Sequence, residues 1–156
     1  VRTEYQTADA GASLIEPVCL SHGTLECRDL NKTRRFYSEF LGVDVIRHAE
    51  AAMGTWCGGD WFIACVGAGD GVSPQPYANR WGLEVGSEED VDAARDAALA
   101  QGADYEIGEI TAIKDDGDTR AFALCDLDGN WWEILYRRGG RLFDREFAIS
   151  NAGDAR

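Results

Sequence analysis

Gly59-Asp60-Trp61-Phe62-Ile63-Ala64-Cys65-Val66 and Gly129-Asn130-Trp131-Trp132-Glu133-Ile134-Leu135-Tyr136 match at an offset of 70 (129 minus 59). Each stretch opens on a turn-forming pair and continues into an apolar run of strand length. A second match lies upstream, His22-Gly23-Thr24-Leu25-Glu26-Cys27 against Arg80-Trp81-Gly82-Leu83-Glu84-Val85, at an offset of 58 (80 minus 22). The two matches occupy corresponding places, so the chain reads as an internal duplication.

The intervening residues supply the rest of each unit. A strand over 19–27 leads to Asp29, placed to cap a helix with Leu30, Thr33, Phe36, Tyr37, Phe40 and Leu41 on one face and Gly42 at its end. Strands follow at 43–47, 52–57 and 61–66. Residues 67–76, dense in Gly, Pro and Ser, form the linker. Beyond it come a strand at 80–85, a Ser87-Glu88-Glu89-Asp90 cap, an Ala-rich helix ending at Gly102, and strands at 105–114, 119–125 and 131–136. The predicted fold class is α+β: two tandem βαβββ modules forming a cupped mixed β-sheet with helices on the outside. The modules span 18–76 and 77–138 within one structural domain, with a leader at 1–17 and a C-terminal tail at 139–156.

Composition narrows the function. Among 156 residues, 28 acidic side chains outnumber 15 basic ones, giving a formal charge of −13. Nucleic acid and anionic membrane both demand clustered Lys and Arg, so neither is expected as a partner. No apolar stretch reaches membrane-spanning length, and residues 1–11 lack the apolar block of a secretion signal. The five cysteines (19, 27, 57, 65 and 125) are odd in number and widely spaced, and they read as reduced core thiols of a cytoplasmic protein.

His22 followed by Leu25, Asp29-Leu30, Arg35-Phe36-Tyr37 and Phe40-Leu41-Gly42 resembles the opening of vicinal-oxygen-chelate proteins. This superfamily holds the glyoxalases, fosfomycin- and bleomycin-resistance proteins and extradiol dioxygenases. Asp126-Leu127-Asp128-Gly129-Asn130-Trp131-Trp132-Glu133 resembles its closing motif, with Leu127 where Pro is common. The resemblance covers residues 18–138 and is specific for the superfamily rather than for one activity.

The resemblance implies metal ligands on the first and last strands of each module, at His22, Ile63, Arg80 and Glu133. His22 and Glu133 are sound ligands for a divalent metal (Fe, Mn, Ni or Zn). Ile63 is not a ligand. Arg80 stands where the second histidine of a three-ligand site belongs, and its guanidinium has no lone pair. At ~4 Å and an effective dielectric of ~20, its charge repels a divalent ion by on the order of 8 kcal/mol. No cofactor is therefore favoured. Arg80 is expected to pair with Glu133, as a structural ion pair rather than a catalytic dyad, while Glu26 and Glu84 share the cup face and are alternative partners for it.

By strand alternation Trp61 and Trp131 point into the same cup, as core packing or as two indoles sandwiching a flat ligand. His48 reads as surface. The ligand-binding set is thus His22, Trp61, Arg80, Trp131 and Glu133, acting on a small aromatic or anionic molecule in a homodimer. Two alternatives stand beside this reading: a metal-dependent dioxygenase, lyase or isomerase using His22 and Glu133, and a degenerate structural subunit.

Overall fold

A computed structural model describes residues 21–58 and 62–140. The first module runs β1 (His22–Cys27), α1 (Leu30–Arg35), β2 (Asp44–Ala49), β3 (Ala52–Trp56) and β4 (Phe62–Gly67). The second runs β5 (Arg80–Glu84), α2 (Glu88–Gln101), β6 (Lys114–Asp115), β7 (Thr119–Cys125) and β8 (Trp131–Arg137). The strand orders β1-β4-β3-β2 and β5-β8-β7-β6 are the same arrangement twice. In each sheet the outer parallel pair (β1 with β4, β5 with β8) is joined by a long crossover carrying the helix and two strands, while the remaining pairs are antiparallel.

Local chemistry starts and stops the helices as the sequence predicts. Asp29 Oδ1 accepts from the backbone N of Asn31 (2.8 Å) and Lys32 (3.2 Å), and Ser87 Oγ accepts from Asp90 N (3.1 Å). The first helix widens into a π turn over Phe36–Phe40 and ends before Gly42, whose φ is +69°. The second ends at Gly102, as expected. Gly102 stays right-handed and opens a 3-10 turn, Gly102–Tyr105, which Glu106 stops at φ 55°.

The strand expected over 105–114 is not continuous. Only Ile110 bridges to Leu124, and only Lys114–Asp115 pairs with β7. Thr111 gives the physical reason. Its Oγ1 takes the Ala123 N–H at 2.9 Å, where a regular ladder would use a carbonyl, so the segment follows β7 with broken pairing.

Pairing register also corrects the match at offset 70, between 59–66 and 129–136. His22 sits opposite Phe62 and Arg80 opposite Trp131, so the true offset between the last strands is 69 (131 minus 62). A slip of one residue exchanges the faces of a strand. Ile63 therefore lies with Cys65 in the hydrophobic core, and Ala64 holds the position equivalent to Glu133. The shared Trp of the two stretches produced the false register.

One core joins both modules, with Leu25, Phe36, Tyr37 and Met53 meeting Phe122, Leu124, Trp132 and Ile134. The loop before β8 fastens them. Asp126, buried, accepts from the backbone N of Asp128 and Asn130 (2.9 Å each), from Trp132 Nε1 (3.1 Å) and from the Tyr37 hydroxyl (3.0 Å). Asp128 accepts from Arg28 N (2.7 Å) and the Thr33 hydroxyl (2.6 Å). Asn130 Nδ2 donates to the Glu26 carbonyl at 3.1 Å. Gly129 turns this loop at φ +86°, and a Cβ there would lie 2.7 Å from Pro74 of the linker.

Candidate functional site

Arg80 begins β5, and Glu133 lies on β8 opposite Gly82, so alternation brings both side chains to one face of the second sheet. Arg80 Nε donates to Glu133 Oε1 at 2.9 Å, with the side chains 33% and 26% exposed. The pair expected from the sequence is thus present. Glu26 and Glu84, its alternative partners, are engaged elsewhere: Glu26 accepts from Ser73 N and Glu84 from Arg137 Nε, each at 2.8 Å.

Two aromatic rings extend the cluster. The Arg80 guanidinium carbon stands 4.9 Å from the centre of the Tyr77 ring, a cation–π distance. Tyr77 meets Trp131 edge-on at 5.0 Å and 86°. Tyr77 escaped the sequence reading because it lies between the linker and β5, outside any strand or helix; its only signal was an aromatic residue three positions before Arg80. A cavity of about 150 Å³ opens over the same face, lined by Tyr77, Arg80, Glu133, Thr111, Thr119 and Lys114. The short side chains of Ala121 and Ala123 on β7 leave this space. Among the described residues no acceptor meets the Arg80 Nη groups. Asp116 Oδ1, near Lys114, is occupied by the backbone N of Asp118 and Thr119.

His22 lies on the other sheet. Its Nδ1 is 2.8 Å from Ser21 Oγ, and its ring stacks on Phe62 at 5.8 Å and 21°. His48, exposed as expected, meets the far side of this group edge-on to Phe62 at 6.4 Å. By the corrected register Phe62 is the counterpart of Trp131, and the symmetry that paired Trp61 with Trp131 no longer holds. Trp61 itself lies outside the described residues.

The residues present do not fit the divalent metal that the resemblance implies. His22 and Glu133 stand on separate sheets, Arg80 occupies the Glu133 carboxylate, and no three His, Cys, Asp or Glu gather among the described residues. Nor do the buried thiols supply a nucleophile. Burial, then the Asp128 charge, pushes Cys27 up to about 11, and burial raises Cys65 and Cys125 as well. Cys57 departs from the expected core placement: it follows the end of β3 and is exposed.

No curated protein matches the sequence. Solved structures share the fold. The fosfomycin resistance protein FosX from Listeria monocytogenes is 23% identical with a TM-score of 0.63, the match covering 83% of this chain and 99% of that one. Another structure of FosX is complexed with Mn(II) and sulfate. Lactoylglutathione lyase from Agrobacterium tumefaciens is 15% identical at a TM-score of 0.56, covering 77% of this chain and 94% of the other. No described helix is long and apolar enough to cross a membrane. The sequence matches a family over residues 20–134, from the approach to β1 into β8, and on that match the chain belongs to the Glyoxalase/Bleomycin resistance protein/Dioxygenase superfamily.

Proposed function

We propose that this protein binds a small, flat, singly anionic aromatic molecule over the open face of its second sheet, without a metal. The observation that carries the reading is the Arg80 guanidinium, oriented by Glu133 and Tyr77 beside Trp131. An ion pair with about a third of its side-chain surface still open to solvent contributes little to the fold, on the order of 1 kcal/mol, so this one serves better to aim Arg80 than to hold strands together. Tyr77 offers ring surface in the cavity with Trp131 edge-on beside it, Arg80 and Lys114 offer charge, and the volume suits a single ring.

The same reading includes a homodimer in the cytoplasm, each chain divided into modules at 76/77. Ile46 (55%), Phe62 (38%) and Val66 (37%) are exposed on the open face of the first sheet, which also carries His22. A second protomer covering that face would bring His22 toward a ligand that the first protomer alone does not reach. Free thiols at Cys27, Cys57, Cys65 and Cys125 suit a reducing compartment.

Titrating benzoate and 4-hydroxybenzoate while following tryptophan fluorescence is expected to give saturable quenching. Arg80→Met should weaken it by roughly tenfold or more, the loss of a charged hydrogen bond. No saturable binding, or equal affinity in the variant, would overturn the proposal. A monomer in sedimentation at micromolar concentration would reject the dimer.

A further inference from the structure

We infer that the ligand of the second sheet carries an amine beside its carboxylate. It is a planar ortho-amino aromatic acid, with its carboxylate on the Arg80 Nη groups and one amine N–H on Glu133 Oε2. This ligand class rests on the function proposed above and narrows it.

The Arg80–Glu133 pair uses only part of each partner. Arg80 gives its Nε to Glu133 Oε1, and its guanidinium carbon sits over the Tyr77 ring at 4.9 Å. The edge formed by the two Nη groups is left over, and such an edge suits a carboxylate through two parallel hydrogen bonds. Glu133 Oε2 likewise accepts from no group among the described residues. Both Glu133 oxygens share one carbon, so Oε2 stands beside the guanidinium that Oε1 accepts from. A ligand can reach both partners. Arg80 keeps 33% of its side chain exposed. Among the described residues that are not themselves exposed, Thr55 Oγ1 is the one buried side-chain nitrogen or oxygen without a partner, so Glu133 Oε2 is open to the outside.

Charge decides what kind of anion fits. Arg80 and Lys114 line the cavity together with Glu133 and Asp116, two cations against two carboxylates. A bare carboxylate gains no net attraction from that lining, and beside Oε2 it meets a like charge. A donor on the neighbouring ring carbon removes the conflict by filling Oε2, and hydrogen bonds to charged groups are the stronger kind. Hydroxyl and amine are not equivalent in that place. An ortho hydroxyl has one proton, which its own carboxylate takes. An ortho amine has two N–H groups and keeps one for Glu133. The ring itself occupies the space that Ala121 and Ala123 leave.

Isothermal titration calorimetry with 2-aminobenzoate, 2-hydroxybenzoate, 4-aminobenzoate, 2-fluorobenzoate and benzoate is the test. 2-Aminobenzoate should bind roughly tenfold tighter than each of the others, the gain of one hydrogen bond to a charged group. In Glu133→Gln the amide keeps an oxygen for Arg80 and turns an N–H toward the amine, so the advantage over benzoate should disappear. The readout is the ratio of two affinities in one protein, so a general loss from a less firmly held Arg80 cancels. Should the variant bind neither ligand, the isomer series in the parent decides. A ratio near one in the parent overturns the proposal. So does 4-aminobenzoate or 2-fluorobenzoate binding as tightly as 2-aminobenzoate, or an advantage that survives in Glu133→Gln. Saturable, Arg80-dependent benzoate binding without preference for the 2-amino compound overturns this ligand class and leaves the proposed function standing. Absence of saturable benzoate and 2-aminobenzoate binding overturns both.

Discussion

The Tyr37 hydroxyl, on the helical segment of the first module, donates to Asp126 Oδ2 on the last loop of the second at 3.0 Å, and both residues are buried. Burial pushes Tyr37 well above its ordinary range and raises Asp126 too, since neither charge is solvated there. Tyr37→Phe removes one of four donors to that carboxylate. It is expected to cost about 1–3 kcal/mol in urea unfolding, because the acceptor stays buried without its partner. Asp126→Ala strands four donors at once and should cost more. Equal midpoints for Tyr37→Phe and the parent would show that the hydroxyl bond is not needed.

Gly129→Ala should destabilise the protein by roughly 1–3 kcal/mol, since alanine resists the left-handed backbone. The new methyl would also press on Pro74, moving the linker off the loop it covers. Thermal unfolding of the variant tests this, and a melting temperature equal to the parent's would refute it.

Native-state alkylation should separate the cysteines. Only the thiolate reacts, and with Cys27 raised to about 11 its ionised fraction at pH 8 is on the order of one in a thousand. Cys65 is raised further and fully buried. Cys57 is exposed and should be the first of the four described thiols to take up iodoacetamide, as read by peptide mass spectrometry. Early labelling of Cys27 or Cys65 would contradict the burial described.

Arg138, just past β8, ties the edge strand β6 to α2 and should shape the response to acid. Its Nη1 and Nη2 donate to the two Asp115 oxygens at 2.7 Å each, and its Nε donates to Glu88 Oε1 at 2.7 Å. These bonds hold both carboxyls below the usual range, Asp115 furthest. A carboxyl depressed in the folded state stabilises it fully above its unfolded pKa of about 4 and loses that contribution as pH falls. Arg138→Gln should therefore be less stable near neutrality and show a shallower decline below pH ~4. Parallel stability curves for the two proteins would reject the assignment.

The sequence made visible whatever local chemistry decides. Asp29 and Ser87 cap because the side-chain oxygen and the free N–H groups are two or three residues apart. Arg80 and Glu133 were legible through the resemblance, whose ligand positions they occupy, and through strand alternation. The register of β4 was not, because Trp61-Phe62-Ile63 and Trp131-Trp132-Glu133 offer two aromatic alignments and only hydrogen bonding to β1 and β5 chooses between them. Tyr77 was hidden for a related reason. A residue outside the strands and helices joins a site only through the path the chain takes in space, and no periodicity records that path.

The bonds from Asp128 to Thr33 and Arg28 close loops of about a hundred residues, and they carry a kinetic consequence. The Thr33 hydroxyl, which locally reaches the Asp29 carbonyl at 2.9 Å, and the Tyr37 hydroxyl gain their carboxylate partners only when the last loop of the chain has arrived. Contacts so distant in sequence raise the entropic barrier to reaching the native state, so folding should be slow for a chain of this size. Once formed, the two halves should melt in a single cooperative transition, and a cut within the linker should yield fragments that regain structure only when mixed.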